Sequence, residues 1–325
     1  MATALATLMS LPLVALVRQP TPVEPMDRLR AALGSGSPAL FIKRDDLLSF
    51  AMGGNKVRKM QAVAADAMAQ HADTLITCGG VQSNHARVTA AAGAVLGLRV
   101  VLVVNGEPPA SLGGNALLDR IFGADVRYVA SRDDRAPMMA RLADELRQAG
   151  HTPYVIPLGA STPTGALGFA RGVVEVAAAD VKPDVIVHAT SSGGTQAGLI
   201  AGTALLGLRT RILGISADDP AAALQDTVRS LLGEMAVRVG AARSSLGADL
   251  PIEVDDRFVG EGYGRPTRES TAALELVART EGIVLDPVYT AKAMAGLISR
   301  IHAREFDRDQ TVLFWHTGGV PGLFA

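Results

Sequence analysis

The feature that most limits what this chain can become is a regular alternation. Short runs rich in Val, Ile and Leu each lead into a glycine-containing turn, and a helical pattern follows. Runs at 39–43, 74–77, 99–104, 126–129, 153–156, 185–188, 211–215 and 311–315 read as buried strands. The intervening helical patterns fall at about 56–71, 84–96, 115–122, 134–149, 165–179, 195–206, 221–242, 268–280 and 290–303. Strand–helix alternation of this kind predicts an α/β fold with parallel sheets and crossover helices. Residues 1–38 carry several prolines and read as an irregular lead-in.

The length of 325 residues, 48% of them hydrophobic, supports two lobes. The alternation over 53–160 makes the smaller lobe, and 1–52 together with 161–325 make the larger. Ligands in such sheets sit beyond the carboxyl ends of the strands. The glycine-rich turns all fall at those ends, as one shared cleft would require.

Composition removes several functions. A net charge of −1 without a basic block leaves no footprint for nucleic acid or an anionic membrane. No apolar run reaches spanning length, and the opening 17 residues lack a charged start and a cleavage site. One cysteine, Cys78, rules out an internal disulfide and fits a reducing, cytoplasmic setting. The six histidines show no metal-ligand spacing, so no metal is expected. Neither a P-loop nor a nucleophile elbow is present.

What remains is a set of polar turns. In Gly53-Gly54-Asn55-Lys56, Asn55 reads as a helix N-cap and Lys56 as a first-turn residue. The positive end of the helix and a dry site both favour loss of the lysine proton. A neutral lysine amine is the group that forms Schiff bases with carbonyl cofactors. Against that stands a plain alternative, a solvated lysine beside two other cations.

Ser192-Gly193-Gly194-Thr195 follows a strand and opens a helix, which offers an anion a ring of N–H groups and two hydroxyls. The loop itself holds no lysine, so a monophosphate suits it better than a triphosphate. Ser83, Asn84 and His85 occupy the matching place in the other lobe; they suit a carboxylate and a ring oxygen, or simply cap a helix. Tyr263, Tyr289, Thr290 and Thr317 supply hydroxyls near turns, for chemistry or for packing. A lysine, a phosphate cradle, an asparagine and a hydroxyl partner for a heterocycle together match the needs of pyridoxal 5'-phosphate. A nicotinamide site fits less well, because the dinucleotide glycine fingerprint is absent.

The motifs GGNKVRK (53–59), GGVQSNH (79–85), SSGGTQAG (191–198), GEGYGRP (260–266), LDPVYTAKAMAGL (285–297) and FWHTGGVPGLF (314–324) resemble one family, in its order. That family is the D-cysteine desulfhydrases and 1-aminocyclopropane-1-carboxylate deaminases, pyridoxal phosphate enzymes of fold type II. The resemblance implies two lobes, each an open and mostly parallel sheet with flanking helices, and a homodimer. It implies that Lys56 tethers the cofactor, Asn84 meets its ring hydroxyl, and Ser192, Gly193, Gly194 and Thr195 hold its phosphate. Ser83, Asn84 and His85 would face the substrate carboxylate, with Tyr289 and Tyr263 lining the substrate pocket.

Two positions bear on the substrate. The deaminases carry Glu after the DPVY tyrosine and Leu before the last glycine turn; here Thr290 and Thr317 stand there, as in the desulfhydrases. A hydroxyl near the ring nitrogen does not force its protonation, which suits β-elimination better than ring opening. L-cysteate sulfo-lyases share the same motifs, and a sulfonate would want cationic donors at its end of the pocket. A non-catalytic binding protein on this scaffold would have no chemical use for Lys56.

Overall fold

The computed structural model describes residues 2–17 and 20–325. The first helix α1 (Ala2–Ser10) is followed by β1 (Val23–Pro25), α2 (Asp27–Leu33) and β2 (Ala39–Arg44). Then come α3 (Asn55–Ala69), β3 (Thr74–Gly80), α4 (Asn84–Leu96), β4 (Arg99–Asn105), α5 (Gly114–Ile121) and β5 (Asp125–Val129). The chain continues through α6 (Arg135–Gln148), β6 (Pro153–Ile156), α7 (Pro163–Ala177), β7 (Val185–Thr190), α8 (Gly194–Leu205) and β8 (Arg211–Ser216). It ends with α9 (Ala221–Arg238), β9 (Glu253–Asp255), α10 (Arg268–Glu281), α11 (Thr290–His302) and β10 (Thr311–His316).

The strands form two sheets. One has the order β1-β2-β10-β7-β8-β9, the other β5-β4-β3-β6. Every pairing among the described residues is parallel except β1 with β2. The central strands β3, β7 and β10 are buried almost end to end, as strands covered by helices on both faces must be. Among the described residues no helix is long and apolar enough to cross a membrane.

The lead-in differs from its expected form. Residues 1, 18 and 19 lie outside the described residues, but the rest of it contains α1, β1 and α2. These elements are too short for a hydrophobic period to show. Leu8 of α1 and Leu29 of α2 are each fully buried. The three-residue β9 is absent from the expected strands for the same reason. The expected helix over 221–242 stops at Arg238, with Gly240 at φ 67° soon after.

Helix α3 is fixed by a buried ionic network. Arg58 donates through Nε and Nη2 to both oxygens of Asp45, at 2.7 Å each. It also reaches Glu175 of α7 through Nη1 at 2.6 Å and Nη2 at 2.9 Å. Lys43 Nζ bonds Glu175 at 2.7 Å, and the indole N–H of Trp315 donates to Asp45 at 2.8 Å. Two cations and two anions thus balance inside the protein, joining β2, α3, α7 and β10. Gly168 lets α7 lie against α3, since a Cβ there would meet the Arg58 carbonyl at 2.8 Å.

Burial alone would raise both carboxyls, yet Arg58 holds Asp45 below its usual range, and Arg58 and Lys43 do the same for Glu175. Depressed folded-state values make the associated stability present above the ordinary carboxylate range. It is lost as pH falls through the depressed values. Asp45→Asn should therefore cost about 3–5 kcal/mol at pH 7, because Arg58 and Lys43 are then left buried with one carboxylate between them. Urea unfolding of the variant should also show a smaller loss of stability between about pH 5 and pH 3 than the parent shows.

Candidate active site

A cleft enclosing about 870 Å³ of non-atom space, part of it open to solvent, lies between the two sheets. Its walls are the carboxyl ends of strands. Gly79 and Gly80 come from β3, Asn105 from β4, Ala189 and Thr190 from β7, and Thr317 and Gly318 from the turn after β10. The strand-end placement expected of such sheets holds.

Lys56 lines this cleft. Its loop needs both glycines. Gly53 and Gly54 sit at φ 71° and 100°, and a Cβ would strike the Asp46 carbonyl at 2.4 Å or the Thr317 carbonyl at 2.9 Å. Gly54, not Asn55, is the N-cap, and its N–H bonds the Asp45 carbonyl at 2.8 Å. Asn55 has a different task. Its amide donates to Thr195 Oγ1 at 2.8 Å, which ties the lysine loop to the opposite cradle. Burial brings the Lys56 ammonium down to about 8, so a useful share of the amine is neutral near physiological pH.

The Ser192–Thr195 turn stands at the cleft, with one addition. Ser192, Gly193 and Thr195 line the cleft; Gly194 stands just behind, its N–H engaged by Ser192 O and Ser161 Oγ. The addition is Lys59, one turn after Lys56 on α3 and fully buried. Among the described residues its Nζ donates only to Gly159 O at 3.2 Å and Ser161 Oγ at 3.3 Å. A Cβ on Gly194 would lie 2.8 Å from that nitrogen. Burial, and then the charge on Lys56, push Lys59 far below its usual value. A buried amine that meets only neutral oxygens, beside a helix start, suits an anion that restores its charge. A phosphate monoester fits this donor set. The plain alternative fails for all three cations: Arg58 is 1% and Lys59 0% exposed, and Lys56 is half-buried.

Ser83 is a helix cap that also faces the cleft. It caps α4, accepting from Ala86 N at 3.2 Å, and it lines the cleft with its own proton still to give. The first N–H groups of α4 also point out of the helix end without helical partners. His85 differs from expectation in its side chain. Thr77 Oγ1 gives its proton to Ile156 O at 2.8 Å, so at 2.7 Å it accepts from His85 Nε2. Burial, with Lys56 and Lys59 nearby, keeps that imidazole neutral. A carboxylate gains no charge from the His85 ring; it can use only the backbone N–H.

Tyr289 and Tyr263 line the far wall as a pair. Their hydroxyls are 2.6 Å apart and their rings meet edge to face at 5.8 Å. Burial and then Tyr263 push the Tyr289 hydroxyl well above its usual value, so it stays a proton donor. Lys292 anchors the Tyr263 loop by donating to Val259 O at 2.7 Å and Gly262 O at 2.9 Å. Asp286 accepts from the N–H groups of Val288 and Tyr289, which sets the Tyr289 backbone.

Thr290 is the site residue that the structure moves elsewhere. It is fully buried, does not line the cleft, and gives its hydroxyl to Asp286 Oδ1 at 2.7 Å. It locks the start of α11 and cannot also serve a ligand. Thr317 does line the cleft. At the mouth, Arg132 bonds Asp218 at 2.8 Å across the two sheets, and Arg135 stands beside it. Nothing in the sequence pattern marks Asn55, Lys59, Arg132, Arg135 or Asp218 as neighbours, although Lys59 shares a helix face with Lys56 at i, i+3.

Known proteins resemble this chain over nearly its whole length. Residues 14–318 match the family described as "Pyridoxal-phosphate dependent enzyme". A D-cysteine desulfhydrase of Yersinia enterocolitica is 40% identical over 322 residues, covering 97% of this chain and 96% of its own. One from Klebsiella pneumoniae strain 342 is 40% identical over 332 residues, covering 99% and 98%. The crystal structure of an ACC deaminase homologue superposes with a TM-score of 0.91 at 37% identity, covering 100% of this chain and 97% of the other. Threonine deaminase isoform 2 of Solanum lycopersicum shares the fold alone, with a TM-score of 0.72 at 18% identity, over 98% and 84%. With a neutralisable lysine and the Ser192–Thr195 turn facing one cleft, the chain belongs to the pyridoxal-phosphate-dependent enzyme family and takes pyridoxal 5'-phosphate as its cofactor.

Proposed function

We propose that this enzyme eliminates the β-substituent of a three-carbon amino acid, with D-cysteine as the substrate, yielding pyruvate, hydrogen sulfide and ammonia. The observation that carries this reading is the meeting of Lys56 with the Ser192–Thr195 cradle in one cleft, in a chain 40% identical to D-cysteine desulfhydrases over nearly its whole length. Residues 53–160 are taken as the smaller lobe, and 1–52 with 161–325 as the larger, cofactor-holding one.

Pyridoxal phosphate supplies an aldehyde for the amine and a ring that spreads carbanion charge. The chain's residues supply the rest. Lys56 would hold the cofactor and, once freed, take the α-proton. Ser192, Gly193, Thr195 and Lys59 would hold the phosphate, and Asn84 the ring hydroxyl. Thr317, which lines the cleft where Thr290 does not, would be the hydroxyl that meets the ring nitrogen, and the choice between elimination and ring opening would rest on it. Ser83 and the first N–H groups of α4 would receive the substrate carboxylate. Tyr289, held protonated, would give a proton to the departing sulfur, and Tyr263 would orient it.

A second reading has one observation behind it. Arg132 and Arg135 put cationic donors at the cleft mouth, where a sulfonate would need them, so L-cysteate belongs in any assay. Ring opening of 1-aminocyclopropane-1-carboxylate would yield a four-carbon keto acid instead. We also take the enzyme to be a cytoplasmic homodimer, on the family resemblance; light scattering reads the oligomer directly.

Incubating apoenzyme with pyridoxal phosphate should give covalent capture whose rate rises with pH to a midpoint near 8. Lys56→Ala should abolish capture and turnover. Lys59→Met should weaken the phosphate ester by about tenfold or more while leaving binding of unphosphorylated pyridoxal unchanged. Equal losses for both forms would remove Lys59 from the phosphate site. In a panel of D- and L-cysteine, L-cysteate, D-serine and the cyclopropane acid, D-cysteine should give the highest kcat/KM with pyruvate as product. Tyr289→Phe should lower its kcat by about 10²–10⁴ with a smaller change in KM.

A further inference from the structure

Asn84 is held by groups that the reaction itself does not use. Its Oδ1 accepts from Arg87 Nη1 at 3.1 Å and from Asn115 Nδ2 at 2.9 Å. Asn115 Nδ2 also donates to the Gln82 carbonyl at 2.8 Å, and Asn115 Oδ1 accepts from Arg87 Nη1 at 3.0 Å. The Asn115 N–H bonds Gln82 Oε1 at 2.7 Å. Arg87 Nη2 reaches back to the Gly53 carbonyl of the lysine loop at 2.7 Å.

These contacts admit one arrangement of the two amides. A backbone carbonyl only accepts, so the Asn115 atom facing Gln82 O is its nitrogen. A guanidinium only donates, so the Asn115 atom facing Arg87 is its oxygen. The Asn84 atom that meets both Arg87 and Asn115 Nδ2 meets two donors and is an oxygen. Asn84 Nδ2, its two protons unused by protein among the described residues, is left to the cleft that Asn84 lines.

Arg87 is itself unusual. It is fully buried, and among the described residues it forms no ion pair; its partners are two amide oxygens and a carbonyl. Its Nε finds no hydrogen-bond partner among them. Burial lowers it to about 10, so it remains charged at neutral pH, with Asp119 and Asp286 as more distant charges. Asp119 is buried too and pushed up to about 7. A cation left this poorly compensated polarises whatever it bonds, here the Asn84 carbonyl.

We propose that Arg87 and Asn115 are positioning residues that lock the Asn84 amide with its N–H toward the cofactor's ring oxygen and pass part of the guanidinium charge to that bond. This rests on the placement of the ring hydroxyl opposite Asn84 in the proposed function. Neither residue lines the cleft. A donor held on the ring oxygen stabilises its anionic form and loosens the proton shared between that oxygen and the lysine nitrogen. Loss of the donor, or its replacement by an acceptor, tightens that proton.

Asn115→Asp tests this with little change of shape. A carboxylate at that position pairs with Arg87 and takes up its charge, and it sets an acceptor where the amide donated to Asn84 Oδ1 and the Gln82 carbonyl, so the Asn84 donor loses both its lock and its share of the guanidinium charge. The readout is the pH midpoint of the visible absorption change of the purified holoenzymes, with Asn84→Ala and the double variant alongside. Asn115→Asp and Asn84→Ala should each raise the midpoint by about one pH unit, and the double variant should shift no further than Asn84→Ala alone. A parental midpoint in Asn115→Asp, with Asn84→Ala shifted, would overturn the positioning role and leave the function intact. An Asn115→Asp shift that persists undiminished on the Asn84→Ala background would mark a through-space effect and overturn it as well. An unshifted Asn84→Ala holoenzyme would overturn the placement of the ring hydroxyl and this proposal together. A protein with no visible band after incubation with pyridoxal phosphate would sink the proposed function itself.

Discussion

The site depends on where Arg58 sits. A guanidinium clamped on one side by Asp45 and on the other by Glu175 leaves α3 no freedom to roll or slide. Lys56 lies two residues before it and Lys59 one after, so the clamp sets both amines. The network is costly to assemble in a dry interior, and its Coulombic gain offsets that cost only if every partner is in place. Its value is geometric. Five groups from four parts of the fold must agree before α3 docks, and when it docks Lys56 already faces the cleft. The Trp315 bond to Asp45 brings the last strand into the same agreement.

Three cations on one helix turn meet three fates, decided by what each is offered. Arg58 has two carboxylates and is held charged. Lys56 has none and its proton is loosened by burial. Lys59 has only neutral oxygens and the repulsion of Lys56. An arriving phosphate would change the last of these first. Its charge would hold Lys59 protonated, and the anion then balances the cation that otherwise strains the pocket. Cofactor affinity and lysine reactivity are in this way two readings of one local charge balance.

The parallel sheets were legible because their strands are buried on both faces and so read as apolar runs. Strand-end chemistry was legible because glycine turns at those ends have few other uses. Lys56 stood out through Gly53 and Gly54, whose conformations exclude other residues. Lys59 did not, since KVRK reads locally as a solvated cationic patch, and its burial depends on α7 and the Ser161 turn arriving from far along the chain. Thr290 was expected near the ring because it stands where the deaminases carry Glu. The Asp286 carboxylate instead takes the threonine hydroxyl to close the start of α11. No local pattern reveals that Thr77 holds the His85 ring.

Strand β10, last in sequence, lies inside the larger sheet between β2 and β7. The turn that leaves it presses Gly318 against Gly54, where a Cβ would be 2.6 Å from the Gly54 Cα. The earliest and latest motifs of the chain are thus backbone to backbone. On the ribosome, the lysine loop would be made long before the strand that seats it. Contacts this distant in sequence form late, so the lysine loop would have no seat until β10 had also been made. Coenzyme uptake would then report that the two distant motifs have met.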